Sequence, residues 1–196
     1  MGDFAKEVFD ETKRLMPKYE NPGFQEYREF KDKTGEIIGS NTPLCVLTNK
    51  VLRTKGLRLP TPWEARQLNK KGKLTNGVYR EFGIAVYNDQ QPNQELAKYF
   101  LENISKEAPF ILPFSSLDLE HKTGRIILSD NLTDILSGKD AKDFLKREFD
   151  YTGTSGVCRL LRNAGGNWYA IWSDLSYSDV VGRMDWYCGE ATRKKF

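Results

Sequence analysis

A single mixed α+β domain is the fold class that the sequence predicts, and three observations carry it. Apolar residues recur at helical spacing in some segments and in strand-sized runs in others, the two kinds of segment are interleaved, and 196 residues suit one domain spanning 1–196 rather than two large ones. With 39% hydrophobic and 12% aromatic residues, the chain has material for a core, which excludes wholesale disorder. No repeat with a period of about 20 to 50 residues is visible, so solenoids and propellers drop out. The longest apolar runs, such as Leu44 to Leu47 and Ile126 to Leu128, fall far short of the roughly 20 residues of a membrane-crossing helix, and no membrane insertion is expected.

The elements follow in order. Asp3 to Met16 places Phe4, Val8, Phe9, Leu15 and Met16 at helical spacing with Pro17 as a stop, which predicts an amphipathic helix. Turn residues come next at Asn21-Pro22-Gly23 and Thr34-Gly35, and Leu44 to Leu47 reads as a strand or another buried element. A second helix begins at Pro62, because Thr61 serves as N-cap, proline suits the first helical position, and Trp63, Ala65, Gln67 and Leu68 follow. Gly72 ends it. From Val78 to Tyr87 the β-branched and aromatic content predicts a strand, with Gly83 at a bulge or a close backbone approach. Pro92 opens a helix with Leu96, Phe100 and Ile104 on one face. Pro109 to Asp118 reads as irregular and apolar, Arg125 to Leu128 as a strand, and Lys139 to Phe149 as a short charged helix with Phe144 and Leu145 inward.

Charge and cysteine usage narrow the partners. The net charge of +3 and pI near 8.6 are mild, although eight Lys and Arg against one Glu lie between Asn49 and Leu74. That stretch reads as a solvated face first and as a nucleic-acid surface second, so nucleic acid is not the expected partner. Cys45, Cys158 and Cys188 are odd in number and far apart, which matches neither a disulfide framework nor a four-ligand zinc site; they read mostly as buried thiols. Met1 to Asp10 lacks the apolar core of a secretory signal, so synthesis without export by that route is expected.

The composition changes abruptly after Glu148. Lys, Glu and Gln make up 37 of the 196 residues, so the 41 positions from Phe149 to Gly189 should hold about eight, and they hold none. Gly, Ser, Tyr, Asn and Asp replace them, with Trp168, Trp172 and Trp186. This palette is that of adaptable binding surfaces, where Tyr supplies contact area at low entropic cost; a Gly-rich aromatic hairpin core would read the same way.

Two motifs point to a family. Leu57-Arg58-Leu59-Pro60-Thr61-Pro62-Trp63-Glu64-Ala65 resembles the R-L-P-T-x-x-E-W-E segment of the formylglycine-generating branch of the C-type lectin fold, departing from it by the proline after Thr61 and by a two-position shift of the Trp-Glu pair. The segment from Gly156 to Ala191, which contains Gly165-Gly166-Asn167-Trp168-Tyr169-Ala170-Ile171-Trp172-Ser173-Asp174, resembles the variable region of proteins diversified by diversity-generating retroelements, above all those of archaea and their viruses. In such systems a reverse transcriptase copies a template repeat with errors at adenines, and the copy overwrites the end of a target gene. The resemblance implies an α+β C-type lectin fold of the formylglycine-generating-enzyme-like type and a viral or archaeal variable protein. It also implies a hypervariable face that binds a protein or cell-surface ligand, association with virions, and no cofactor.

The genetic code offers a check. Randomising both adenines of an A-A-pyrimidine Asn codon yields many residues but never Lys, Glu, Gln, Met, Trp or a stop, and the void of Lys, Glu and Gln seen here is what that rule produces. The candidate ligand-binding variable positions are Leu161, Ala164, Tyr169, Ile171, Ser173, Asp174, Ser176, Tyr177, Asp179, Val180 and Val181, all reachable. Trp168, Ala170, Trp172, Leu175, Ser178, Gly182 and Arg183 read as the fixed frame. Alternation along Trp168 to Ser173 puts Tyr169, Ile171 and Ser173 on one face of an extended segment and the tryptophans on the other, so one face varies while the other holds the fold.

Catalysis finds little support. His121 stands in the polar stretch Leu119 to Gly124 with no second His or Cys nearby for a metal site or a triad. Formylglycine-generating enzymes use a cysteine pair, for which Cys158 and Cys188 are the candidates here; a framework disulfide or two buried thiols is the preferred reading over copper-dependent oxidation. Trp172-Ser173-Asp174 only faintly resembles the calcium element of C-type lectins, so no functional calcium is expected, and no metal ligand is assigned. No G-x-G-x-x-G, P-loop or G-x-S-x-G motif occurs. The alternatives to a non-enzymatic display protein are a formylglycine-generating-type oxidase and a basic nucleic-acid-binding module.

Overall fold

A computed structural model describes residues 2–25, 37–38, 41–74, 77, 79–132, 134–171, 174–176 and 183–184. The first helix, α1 (Gly2–Leu15), buries Val8 and Phe9 and gives way to a 3-10 turn at Met16–Lys18, where Pro17 falls as expected. A short helix α2 (Pro22–Gln25) and a two-residue strand β1 (Ile37–Ile38) follow.

Helix α3 (Thr42–Thr54) corrects the expectation of a strand at Leu44 to Leu47. Asn41 caps it, its side chain accepting from Leu44 N at 2.8 Å, and Pro43 sits in the first turn. Residues 42–49 are all buried, which erases the period that would have marked the helix in the sequence. Helix α4 (Pro62–Lys70) starts where the sequence predicts. Thr61 and Glu64 form a reciprocal capping box, and Gly72 follows the helix at φ +66°.

Strand β2 (Arg80–Val86) lies near the middle of a six-stranded sheet that curls into a half-barrel. Its register against the later strand β8 (Val157–Arg162) slips between Glu81 and Gly83, so Phe82 is the extra residue of a bulge. A Cβ at Gly83 would lie 2.5 Å from Leu112 O, so only glycine lets the next strand approach this closely. Helix α5 (Gln94–Asn103) begins two residues later than Pro92, because Asn93 takes the left-handed conformation at the cap. The stretch read as irregular resolves into β3 (Phe110–Pro113), a 3-10 turn and β4 (Leu117–Leu119), and β4 pairs with β5 (Ile126–Leu128) in a hairpin. After β6 (Leu136–Ser137) comes α6 (Gly138–Glu148), then β7 (Tyr151–Thr152), β8, β9 (Trp168–Ile171) and β10 (Arg183–Met184), which pairs with β1.

The sheet order is β6-β3-β2-β8-β9-β7, antiparallel throughout except where β7 runs parallel to β9. Its two faces are both covered. Ile84, Val86, Leu112 and Val157 join the side chains of α1, α3 and α5, whereas Phe82, Ala85, Ile111, Leu160, Trp168 and Ala170 join those of α4 and α6. This sheet between helical layers explains why β2, β3 and β8 are buried along their whole length. The molecule is thus mixed α+β, and among the described residues no helix is long and apolar enough to cross a membrane.

Candidate functional site

The end of the sheet carried by β8 and β9 holds the described part of the predicted variable segment. In β9 the side chains alternate as the sequence predicts: Trp168 and Ala170 are buried, while Tyr169 and Ile171 are half-buried on the opposite face. Trp168 stacks on Phe82 at 5.0 Å between ring centroids and meets Phe149 edge-on, with the Arg66 guanidinium 4.6 Å from the indole centroid. Packing of this kind holds the inner side of the hairpin.

The outer side is built around two charges placed inside apolar strands. Glu81 of β2 and Arg159 of β8, whose side chains are 0% and 1% exposed, form an ion pair, and Glu81 Oε2 accepts from Thr42 Oγ1 at 2.9 Å. Burial works against the Arg159 charge, but Glu81 and Tyr79 beside it hold its pKa above the ordinary value, so the guanidinium stays charged. A buried pair of this kind is tolerated when its remaining hydrogen-bonding capacity is used. Here part of it is directed at a main-chain oxygen: Arg159 Nη1 donates to Asp174 O at 3.1 Å. Thr42 N donates to Leu175 O at 3.1 Å, and Asn41 Nδ2 donates to Ser176 O at 3.2 Å and to Gly23 O at 2.8 Å. Three consecutive carbonyls are therefore gripped by three different residues lying outside the turn.

Leu175, 6% exposed, seats the turn in the core. Asp174 is exposed and Ser176 half-buried, and Asp174 Oδ1 accepts from Ser176 N at 2.8 Å in an Asx-type turn that several short polar residues can reproduce. A cleft of about 320 Å³ opens beside them, bounded on the far side by Glu95, Leu96 and Tyr99 of α5 and by Arg125 and Ile126 at the start of β5. A second cleft of about 440 Å³ lies between Gln91-Pro92 and Tyr151 to Ser155. The loops around it are locked together, since a Cβ at Gly156 (φ +59°) would fall 2.2 Å from Pro92 O and Val157 N donates to that oxygen at 3.0 Å.

Of the candidate variable residues, Tyr169, Ile171, Asp174 and Ser176 belong to this face, and Ile171 stands opposite Arg159 in register. Ala164 is half-buried in the turn between β8 and β9, where its main-chain oxygen accepts from Gly77 N at 2.9 Å. Leu161 departs from the solvent-facing expectation. It is 2% exposed, because β8 is flanked by β2 and β9 and covered on both sides, so it belongs with the frame. Ser173, Tyr177, Asp179, Val180 and Val181 lie outside the described residues, as do Trp172, Trp186 and Cys188.

The basic stretch from Asn49 to Leu74 is partly compensated by its own Glu64 and by three acids from distant parts of the chain. Lys50 and Arg53 share Asp118 at 2.8 and 3.2 Å, Lys55 pairs with Glu7, Arg58 with Glu64 at 2.7 Å, and Arg66 and Lys70 with Glu148 at 2.9 and 3.4 Å. Six of its eight cations thus face one of four carboxylates, which offsets about half of the positive charge a phosphate backbone would meet. Cys45 and Cys158 are buried, and burial pushes the Cys158 pKa up to about 12, so that sulfur is held as a thiol rather than as a nucleophilic thiolate. His121 lies in an exposed turn, and among the described residues no group of three His, Cys, Asp or Glu could hold a metal ion.

Sequence reasoning missed Asn41, Thr42, Glu81 and Arg159 as the residues that hold the turn. A signal was present: a glutamate and an arginine inside otherwise apolar strands are costly unless they meet each other. The α5 wall of the cleft carried no such signal, because Glu95 and Tyr99 read as ordinary residues of a helix surface. Comparison of the chain with family models, with curated proteins and with solved structures finds no match.

Proposed function

We propose that this protein is a ligand-binding display protein, not an enzyme, whose C-terminal face is diversified by retroelement-directed adenine mutagenesis on a C-type lectin scaffold of the formylglycine-generating type. One observation carries the reading. The turn at 174–176 is held through its main-chain oxygens by Arg159, Thr42 and Asn41, so the side chains at 174 and 176 can be exchanged without removing the bonds that position them. A diversified site needs this separation between what holds the loop and what meets the ligand. The alternation in β9, with Trp168 and Ala170 inward, and the absence of Lys, Glu and Gln from 149–189 support the same reading. The ligand class it implies is a protein or another cell-surface molecule, bound by the Tyr, Ile, Ser and Asp side chains of this face.

Sequencing the DNA around the gene tests it. A near-copy of the segment encoding 156–191, differing at adenines and lying beside a reverse transcriptase gene, is the expected result. Flanking DNA without such a copy overturns the diversification reading.

A further inference from the structure

The 320 Å³ cleft has one wall inside the proposed variable segment and one wall outside it, and the two walls share a chemistry. Leu96, Ile126 and Leu175 supply its apolar lining, with Tyr99 beside them. Two carboxylates stand at its rim. Glu95, on the first turn of α5, is exposed and has no ion-pair partner among the described residues, and Asp174, across the cleft, uses one oxygen for the Ser176 amide. The cleft's own cation, Arg125, is paired with Glu120 at 3.3 Å, and its guanidinium lies against the cleft wall, 5.4 Å from the centroid of the Tyr99 ring, so Glu95 and Asp174 leave the lining with one more negative charge than positive. The start of α5 adds a partial positive charge, which Glu95 offsets.

We infer that this cleft takes the basic side chain of a protein ligand, with the aliphatic stem of a lysine or arginine against Leu96, Ile126 and Leu175 and the charged head between Glu95 and Asp174. Long basic side chains bury their methylenes along apolar surface while the charge stays near water, and an open apolar cleft with an acidic rim meets both needs. The inference rests on the display reading and deepens it. Glu95 lies outside the variable segment and is a constant attraction for a cation, whereas position 174 adds a second carboxylate or removes it with each resampling. Glu is unreachable from the diversifying codon, so a fixed glutamate on the opposite wall supplies a charge that does not depend on which residue occupies 174.

Titration of the full chain, followed by amide chemical shifts, with Nα-acetyl-lysine and Nα-acetyl-arginine methylamides against the neutral norleucine derivative, which keeps the four-carbon stem of lysine without its ammonium, tests this directly. Both carboxylates sit at a solvated rim, so each is expected to contribute a few-fold, and at least one basic probe should bind roughly tenfold more tightly than norleucine, with shifts at 95–99 and 174–176. Glu95→Gln, on an exposed helix surface, should weaken that probe about threefold and leave norleucine unchanged, and Asp174→Asn should do the same while keeping the Asx turn. Arg125→Gln should tighten it. Equal binding of norleucine, preference for an acetyl-aspartate probe, no binding of any probe, or an unchanged Kd in Glu95→Gln overturns the inference. A template copy in the flanking DNA without cation preference overturns this inference and leaves the display reading standing. Cation preference without a template copy does the reverse.

Discussion

The hairpin side of β9 and the turn at 174–176 are only a few residues apart, yet they are held in opposite ways. Trp168 is fixed by what its side chain touches: Phe82 beneath it, Phe149 at its edge and Arg66 over its face. Asp174 and Ser176 are fixed by what their main chain touches, and their side chains contribute at most the small Asx bond between them. Where side chains hold a segment, each substitution changes the fold; where carbonyls hold it, substitution changes only what the surface offers. A surface can therefore be open to replacement without being loosely held.

Removing the grip is the strongest way to break this contrast. Arg159→Met or Glu81→Gln strands the other member of a buried ion pair and should cost about 3–5 kcal/mol in urea unfolding. The double substitution should cost less than the sum, because the stranded charge disappears. Additive losses, or a loss no larger than that of an exposed substitution, would mean that the pair does not organise this end of the sheet. Trp168→Ala tests the side-chain-held region and should destabilise by roughly 3 kcal/mol or somewhat more, as expected for deleting a large buried ring.

A third experiment sharpens the comparison through pH. Glu148, on the Trp168 side, is partly desolvated, but hydrogen bonds from Arg66, Arg147 and Lys70 outweigh that and depress its pKa to about 2. A depressed carboxylate contributes stability that is fully present above its unfolded pKa of about 4.5 and is lost as pH falls toward 2. Glu148→Gln should therefore be less stable than the parent by roughly 2 kcal/mol at neutral pH, with the gap closing between pH about 4.5 and 2 in a series of melting curves. A gap that persists at pH 2 would assign the loss to packing instead. The smallest effect is expected at the turn itself: replacing Asp174 and Ser176 by Asn, Gly or Thr should move stability by no more than about 0.5 kcal/mol each. A loss of several times that size at either position would refute the main-chain grip.

Much of this organisation was legible in the residues. The Thr61-Pro62 start of α4, the break at Gly83 and the inward tryptophan of β9 each follow from local chemistry that a sequence displays openly: a cap, a missing Cβ, an alternation. Helix α3 did not, because burial all round removed its period, and only Asn41 and Pro43 announced it. Leu161 was misplaced for a related reason. It is assigned by its place in the segment that resembles a variable region, whereas its burial comes from β2, about eighty residues earlier in the chain. The turn's anchors were invisible as a set, since Asn41, Glu81 and Arg159 converge only once β2 and β8 pair and α3 packs against them.

The six-stranded sheet also ends on both margins in two-residue strands, β6 at Leu136–Ser137 and β7 at Tyr151–Thr152. An edge that short presents too few free amides and carbonyls to template another chain, which is the usual route from an exposed sheet to aggregation. Charged side chains or proline can protect such an edge too, but a single substitution removes that safeguard. Here the protection lies in the length of the backbone at each margin. It does not depend on which side chains occupy the neighbouring face, so substitutions there leave it in place.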